Sequence, residues 1–243
     1  MILDARHIAG IGFTSQRTRD RMARRLRERG IVDEELLFVL ATVPRHLFVD
    51  EMMATRAYED VSLPIGEGQT ISQPWAVARM TELLLAGTPT GTAPPGDGYP
   101  RRVLEVGTGS GYQAAVLSRL VEHVHTVERV ESLLERARQR FVSLGYGNID
   151  ARYSDGGWGL PERAPFDAIL VTAAPEQVPE PLLDQLAVGG RMVVPVGARS
   201  GGQSLNVITR TRSGFVEHRD GDAHFVPFLA GERSRRGAEP PEP

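Results

Sequence analysis

Three carboxylates around a short run of glycines carry the most specific chemistry in this 243-residue sequence. The run is Gly107-Thr108-Gly109-Ser110-Gly111, directly after Val103-Leu104-Glu105-Val106. Glycines where a strand ends let the chain turn sharply and bring backbone close to a ligand. The spacing is G-x-G-x-G, one residue short of the dinucleotide fingerprint G-x-G-x-x-G. A phosphate-cradling P-loop needs a lysine, and all 28 basic residues here are arginine. A nucleophile elbow, G-x-S-x-G, fails because Thr108 stands two residues before Ser110. Glu105 lies in the strand, where it either holds the loop amides or faces a cationic group. Glu128 follows about 20 residues beyond the loop, the place from which a carboxylate accepts ribose hydroxyls. Asp155 and Gly156 end a third strand, where an acid and a close backbone address an adenine edge. Three acids suit a nucleoside ligand that is cationic and lacks a pyrophosphate. For the glycines alone, a plain tight turn is the alternative.

A second cluster, Gln69-Thr70-Ile71-Ser72-Gln73-Pro74, concentrates small polar residues without a neighbouring base. By position alone Ser72 reads as a turn or helix N-cap before Pro74 and Trp75. His123 and His125 alternate onto one side of a strand. With no cysteine in the chain and no third ligand, they read as a solvated pair, and no metal is expected. Trp75 and Trp158 fit either groove lining or packing. Asp167 opens a strand and is expected to tie down a loop. The absence of lysine also removes Schiff-base chemistry, and the absence of cysteine removes thiolate nucleophiles.

Stepping outward, the elements that must position these groups alternate. A helix is expected over 15–30, with Met22 and Leu26 on one face and Gly30 as its stop. Its seven arginines lack interleaved aromatics, so a solvated face is favoured over a nucleic-acid stripe. A second helix covers 33–41, residues 57–74 read as a long ordered loop, and a third helix covers 75–85. Residues 87–98 form a Pro/Gly linker. Beyond it, strands at 102–106, 124–128, 151–154, 166–172, 191–196, 205–210 and near Val216 alternate with helices at 111–120, 131–144 and 181–186. That order predicts an α/β fold: a doubly wound, mostly parallel seven-stranded Rossmann-like sheet with an antiparallel C-terminal edge. The organisation expected is a helical and loop region over 1–98, a cofactor-binding domain over 99–231 and a disordered tail over 232–243. The apolar fraction of 41% supports a sizeable core, and a net charge of −3 gives no general attraction to nucleic acid or anionic lipid. No apolar run is long enough to span a membrane, and the N-terminus lacks a secretory pattern. A cytoplasmic protein is expected.

The acid-lined loop resembles that of the class I methyltransferases, which bind S-adenosylmethionine, a cofactor that carries a sulfonium and an ammonium and has no pyrophosphate. The wider sequence closely resembles bacterial protein-L-isoaspartate O-methyltransferases across roughly 17–231. The resemblance is carried by Val43-Pro44-Arg45, by Leu63-Pro64-Ile65-Gly66 with Gly68-Gln69-Thr70-Ile71-Ser72-Gln73-Pro74, and by the glycine loop with Tyr112-Gln113. It continues through Val127-Glu128-Arg129, Asp155-Gly156, Ala164-Pro165-Phe166-Asp167, Thr172-Ala173-Ala174-Pro175 and Phe225-Val226-Pro227. It implies transfer of a methyl group from S-adenosylmethionine to the free carboxylate of isoaspartyl residues in damaged proteins, initiating repair through a succinimide. It implies Ser72 as the active-site residue, with Thr70, Phe225 and Val226 also meeting substrate. It implies cofactor contacts from Gln69, Thr70, Ile71, Ser72, Glu105, Gly107, Thr108, Gly109, Gly111, Glu128, Arg129, Asp155 and Gly156. The partners expected are isoaspartyl proteins and peptides, not nucleic acid or membrane, and the enzyme is expected to be a monomer. Three features depart from the family: the long linker at 87–100, His224 in place of a common Arg, and Phe228 in place of Leu. The alternatives are a methyltransferase acting on RNA or a metabolite, and a non-catalytic adaptor of the same fold.

Overall fold

A computed structural model describes residues 10–86, 99–198 and 201–229. The Pro/Gly linker, the tail and most of the N-terminal lead-in fall outside them. The first helix, α1 (Gln16–Glu28), buries Met22 and Leu26 and gives way to Gly30, whose φ of 98° only glycine adopts freely. The second, α2 (Glu34–Thr42), is capped by the Asp33 carboxylate, which accepts from Leu36 N at 2.9 Å.

The arginine face of α1 is only partly solvated. Arg19 is buried and donates to the carbonyls of Thr14 and Thr42. Arg25 donates to Tyr58 O at 2.6 Å, and Arg29 stacks on Trp75 at 4.8 Å while pairing with Asp60. Guanidinium forks take up carbonyls left free by neighbouring turns, a role that composition and spacing do not reveal.

The expected loop over 57–74 contains a hairpin. Strand β1 (Leu63–Gly66) pairs antiparallel with β2 (Gln69–Ile71), Leu63 opposite Ile71 and Pro64 opposite Thr70. Gly66, Glu67 and Gly68 all take positive φ in the turn, while Leu63, Ile65 and Ile71 point into the core. Strands this short show too few alternations to stand out in sequence. Helix α3 (Pro74–Leu85) follows at once, with Pro74 at its first position.

The main sheet is built from β3 (Arg102–Val106), β4 (His123–Glu128), β5 (Ile149–Tyr153), β6 (Phe166–Val171), β7 (Leu186–Val196), β8 (Gln203–Thr211) and β9 (Gly214–Ala223). Its order is β5-β4-β3-β6-β7-β8-β9, parallel as far as β7 and antiparallel for β8 and β9. Helices α4 (Tyr112–Leu117), α5 (Glu131–Leu144) and α6 (Glu180–Asp184) connect the parallel strands. Helix α4 is shorter than expected, and α6 stops before Leu186, which pairs with Phe166 and opens β7. Val103, Ala168 and Leu170 feed one apolar cluster, whereas Leu104, Ile169 and Val171 feed the other. This alternation leaves the parallel strands covered on both faces. The first cluster also takes in Met22, Leu40, Tyr58 and Ile71, so the N-terminal elements pack on the sheet.

Two features away from the loop complete the frame. Asp167 accepts from the backbone amides of Arg101 and Arg102 at 3.0 and 2.9 Å, pinning the chain that enters β3. His125 is not solvated. It is buried edge-on against Phe166, 4.5 Å from the His123 ring, and burial holds its pKa down to about 4. Among the described residues no group of three or more metal-type ligands forms, and no helix is long and apolar enough to cross a membrane.

Candidate active site

The carboxyl ends of β3, β4 and β6 converge on one cavity of about 930 Å³, counting space open to solvent. That lies within the range of about 300–1,000 Å³ usual for small-molecule and cofactor sites. The glycine turn forms its floor. Gly107 N and Thr108 N both donate to Val127 O, at 2.9 and 3.2 Å. Gly107 has a φ of 100°, and a Cβ there would stand 2.4 Å from Thr172 Oγ1. Thr172 uses that closeness to donate to the carbonyls of Val106 and Gly107, at 3.0 and 2.8 Å. The turn is therefore welded to the ends of two neighbouring strands.

Glu128 closes the next side. Its carboxylate accepts from Gly109 N and Val130 N, both at 2.9 Å, so it shapes the loop as well as facing the cavity. Burial raises its pKa, and these backbone donors oppose the rise. Glu105 sits behind, fully buried. It accepts from Thr126 Oγ1 at 2.5 Å, and Thr126 is 2.7 Å from Thr108 Oγ1. This relay ties the buried acid to the loop. Burial pushes the Glu105 carboxyl up to about 8, helped by the nearby Glu128 charge. Its second oxygen is buried and has no side-chain partner among the described residues.

The roof comes from two distant segments. One is β2 with Ser72, supplying Gln69, Thr70, Ile71 and Ser72. The other is 226–229, laid against Ala174 through Ala174 N to Val226 O and Phe228 N to Ala174 O, at 2.9 and 2.8 Å. Beyond the roof lies a second groove of about 730 Å³, lined by Gln73, Trp75, Arg79, Leu205, His224 and Phe225 among others. Ser72 and Met80 line both spaces. Ser72 thus stands on the boundary between cavity and groove.

Most residues named from sequence meet here: Gln69, Thr70, Ile71, Ser72, Glu105, Gly107, Thr108, Gly109, Glu128, Arg129, Gly156 and Val226 line the cavity. Phe225 lines the groove. Two do not line the cavity. Gly111 opens α4, and a Cβ on it would clash with Phe141, so its smallness serves helix packing. Asp155 turns its carboxylate back to Gly157 N at 2.9 Å. Of the tryptophans, Trp75 lines the groove and Trp158 is largely exposed. Sequence reading missed Thr172, whose hydroxyl locks the turn, and Phe228, which packs on Gly156. It also gave no place to Arg45, which is fully buried and donates to the carbonyls of Ala57 and Ser72. The signal for each was a contact between segments far apart in the chain.

A parallel sheet whose strand ends open on an acid-lined glycine turn, with an antiparallel pair at one edge, defines a Rossmann-like methyltransferase. The chain belongs to the protein-L-isoaspartate(D-aspartate) O-methyltransferase (PCMT) family, whose sequence model matches residues 17–233. A protein-L-isoaspartate O-methyltransferase of Halorhodospira halophila is 55% identical over 226 residues, covering 93% of this chain and 98% of that one. One from Hahella chejuensis is 54% identical over 219 residues, 90% of this chain and 99% of its relative. A solved protein-L-isoaspartate O-methyltransferase superposes with a TM-score of 0.75 at 30% identity, over 86% of this chain and 65% of that one. A Plasmodium falciparum beta-aspartate methyltransferase (PCMT), crystallised in complex with S-adenosyl-L-homocysteine, superposes at 0.69 with 25% identity, over 87% and 98% of the two chains.

Proposed function

We propose that this enzyme methylates the free α-carboxylate of isoaspartyl residues in damaged proteins, with Ser72 as the residue that orients the acceptor. The carrying observation is the place of Ser72, on the boundary shared by the cofactor cavity and the outer groove. Met80 shares that boundary, but of the two only Ser72 carries a hydroxyl that can meet a carboxylate placed between a donor on one side and a peptide on the other.

The residues present fit S-adenosylmethionine. Gly107 presents bare backbone to the cavity, since Thr172 Oγ1 leaves no room for a Cβ there, Glu128 faces the cavity at the end of β4, and Glu105 keeps a buried oxygen with no side-chain partner among the described residues. Two carboxyls and no lysine suit a cationic nucleoside and not a pyrophosphate. Gly107, Thr108, Gly109, Glu128, Arg129 and Gly156 would hold it from the sheet side, and Gln69, Thr70 and Ile71 from the roof. When bound, S-adenosylmethionine supplies a methyl group already activated by its sulfonium.

The acceptor needs no activation either. An α-carboxyl has a pKa of about 3.3–3.7, so it is an anion at neutral pH and requires no general base. The protein's task is alignment and exclusion of water. Orientation of two reactants can contribute roughly 7–11 kcal/mol. Ser72 Oγ–H donates to the carboxylate and turns one oxygen toward the cavity, while Thr70, Phe225 and Val226 flank the peptide. The backbone amide nitrogen of the following residue then attacks the ester carbonyl, gives up its proton and expels methanol, closing the succinimide without further help from the enzyme. The same reading makes the protein a metal-independent cytoplasmic monomer, a state that light scattering of the purified chain tests.

The deciding experiment is transfer of labelled methyl to an isoaspartyl peptide and to its aspartyl twin. Base-labile label on the first alone is expected. Equal labelling of both, or of neither, would overturn the reading.

A further inference from the structure

We propose that Arg45 is a positioning residue for the acceptor carboxylate, acting from behind the Ser72 segment; this rests on the isoaspartyl reading above. Arg45 opens a 3-10 turn (Arg45–Phe48) and is fully buried. Its Nε donates to Ala57 O and its Nη2 to Ser72 O, both at 2.7 Å. Its guanidinium lies 4.7 Å over the ring of Tyr112, which lines the cofactor cavity. The guanidinium and the Tyr112 hydroxyl favour each other across this contact, and neither Nη1 nor that hydroxyl has another polar partner among the described residues.

The unusual feature is the missing anion. A buried cation is ordinarily matched by a carboxylate, because a lone charge in a low dielectric is strongly disfavoured. Among the described residues Arg45 has no carboxylate partner, and the groups that favour its charge are Tyr112 and Tyr58. Burial pulls its pKa down to about 10, which leaves it cationic at neutral pH. The reaction itself brings an anion to this place. The isoaspartyl carboxylate arrives at Ser72, whose own carbonyl the guanidinium already holds. Only one residue's length separates that carbonyl from Ser72 Oγ, and in a water-poor interior a charge acts strongly over such a span.

Arginine contributes two separable things. Its planar fork bridges the carbonyls of Ala57 and Ser72, which fixes where Ser72 stands. Its charge favours an acceptor that is an anion over one that is neutral. Lysine keeps the charge as a point and loses the fork, and glutamine loses the charge.

The test measures kcat and KM on an isoaspartyl peptide, inhibition by the same peptide carrying an α-carboxamide, S-adenosylhomocysteine binding and Tm. In Arg45→Gln the preference for carboxylate over carboxamide should fall by about tenfold or more, with S-adenosylhomocysteine affinity kept within about twofold. Arg45→Lys should keep the preference within about threefold while kcat falls by about tenfold. A folded Arg45→Gln enzyme with wild-type preference would overturn the proposal. So would a loss of S-adenosylhomocysteine binding equal to the loss of preference, since that marks general damage to the cavity. If Arg45→Gln does not fold, Arg45→Lys decides alone: wild-type kcat and KM there sink the positioning role. Wild-type enzyme inactive on isoaspartyl peptide removes the parent reading instead, a distinct outcome.

Discussion

The glycine turn after β3 and the segment at 69–72 face each other across one cavity, yet they are held by different means. The turn is held from within its own sheet: Gly107 and Thr108 donate to Val127 O, Gly109 donates to the Glu128 carboxylate, and Thr172 Oγ1 donates to the carbonyls of Val106 and Gly107. Side chains reaching in from elsewhere hold the segment and its hairpin. Arg45 takes Ser72 O, Arg136 donates to Ile65 O at 2.9 Å, and Ser132 donates to Glu67 at 2.8 Å. The two come near each other at Ile65 and Gly109, where a Cβ on the glycine would stand 3.4 Å from Ile65 Cδ1. A floor built from strand ends is stiff because moving it breaks a sheet. A roof tied by a few side chains can be displaced by opening only those ties. That difference suits a site whose donor is always the same and whose acceptor is a varied protein surface.

The largest effect is expected where the floor is broken. Gly107→Val places a branched side chain at a φ of 100° and against Thr172 Oγ1. Backbone strain there costs about 1–3 kcal/mol before any clash. Calorimetry should show S-adenosylhomocysteine binding weakened by at least about a hundredfold, with a lowered Tm. A variant that binds normally would show that the turn does not set the cavity.

Ser72→Ala breaks the roof's chemistry and leaves the floor intact. A hydrogen bond to a charged group is worth about 1.5–3 kcal/mol, so kcat/KM should fall by roughly 10–150-fold. S-adenosylhomocysteine affinity should stay within about twofold of wild type. Wild-type activity would remove Ser72 from its role.

Glu105→Gln sharpens the comparison through pH. The folded Glu105 carboxyl titrates at about 8, against about 4.3 in an unfolded chain. Between those values the folded protein keeps a proton that the unfolded chain releases. The associated stability is present below about pH 4.3 and is lost as pH rises through 8. His125 acts in the opposite sense between about 4 and its ordinary 6.5, so the window from about 6.5 to 8 isolates Glu105. Thermal melts across that window should show a falling Tm for wild type and a flatter profile for Glu105→Gln. Parallel profiles would mean that Glu105 is charged when folded.

The smallest effect is expected from Ser132→Ala, which removes one tie of the hairpin. Its acceptor, the Glu67 carboxylate, belongs to an exposed residue, so water screens the charge and the bond contributes about 0.5–1.5 kcal/mol. KM for the peptide should rise by no more than about tenfold with S-adenosylhomocysteine binding unchanged. An equal loss in both would mean that roof and floor move together.

Much of this site was legible without coordinates. The turn at Gly107, the acids Glu105 and Glu128, and the strands β3 and β6 follow from local pattern, because a parallel sheet writes its ligand site into consecutive residues at strand ends. The Ser72 segment was legible only through family resemblance; by position it was an N-cap, and its hairpin was too short to show a period. Asp155 and Gly111 were assigned to the cofactor by motif, yet their contacts run to Gly157 and Phe141.

The sequence by itself determined the fold class, the excluded chemistries, the mostly parallel sheet with its antiparallel edge and the acid-lined turn, since periodicity, residue type and strand-end glycines are local properties. Tertiary structure alone decided that Thr172 locks that turn, that Phe228 closes on Gly156, that Ser72 stands between two spaces and that Arg45 is buried behind it without an acid. Each of these joins residues distant in the chain, and burial of a charge or closeness of a hydroxyl exists only once those segments have packed.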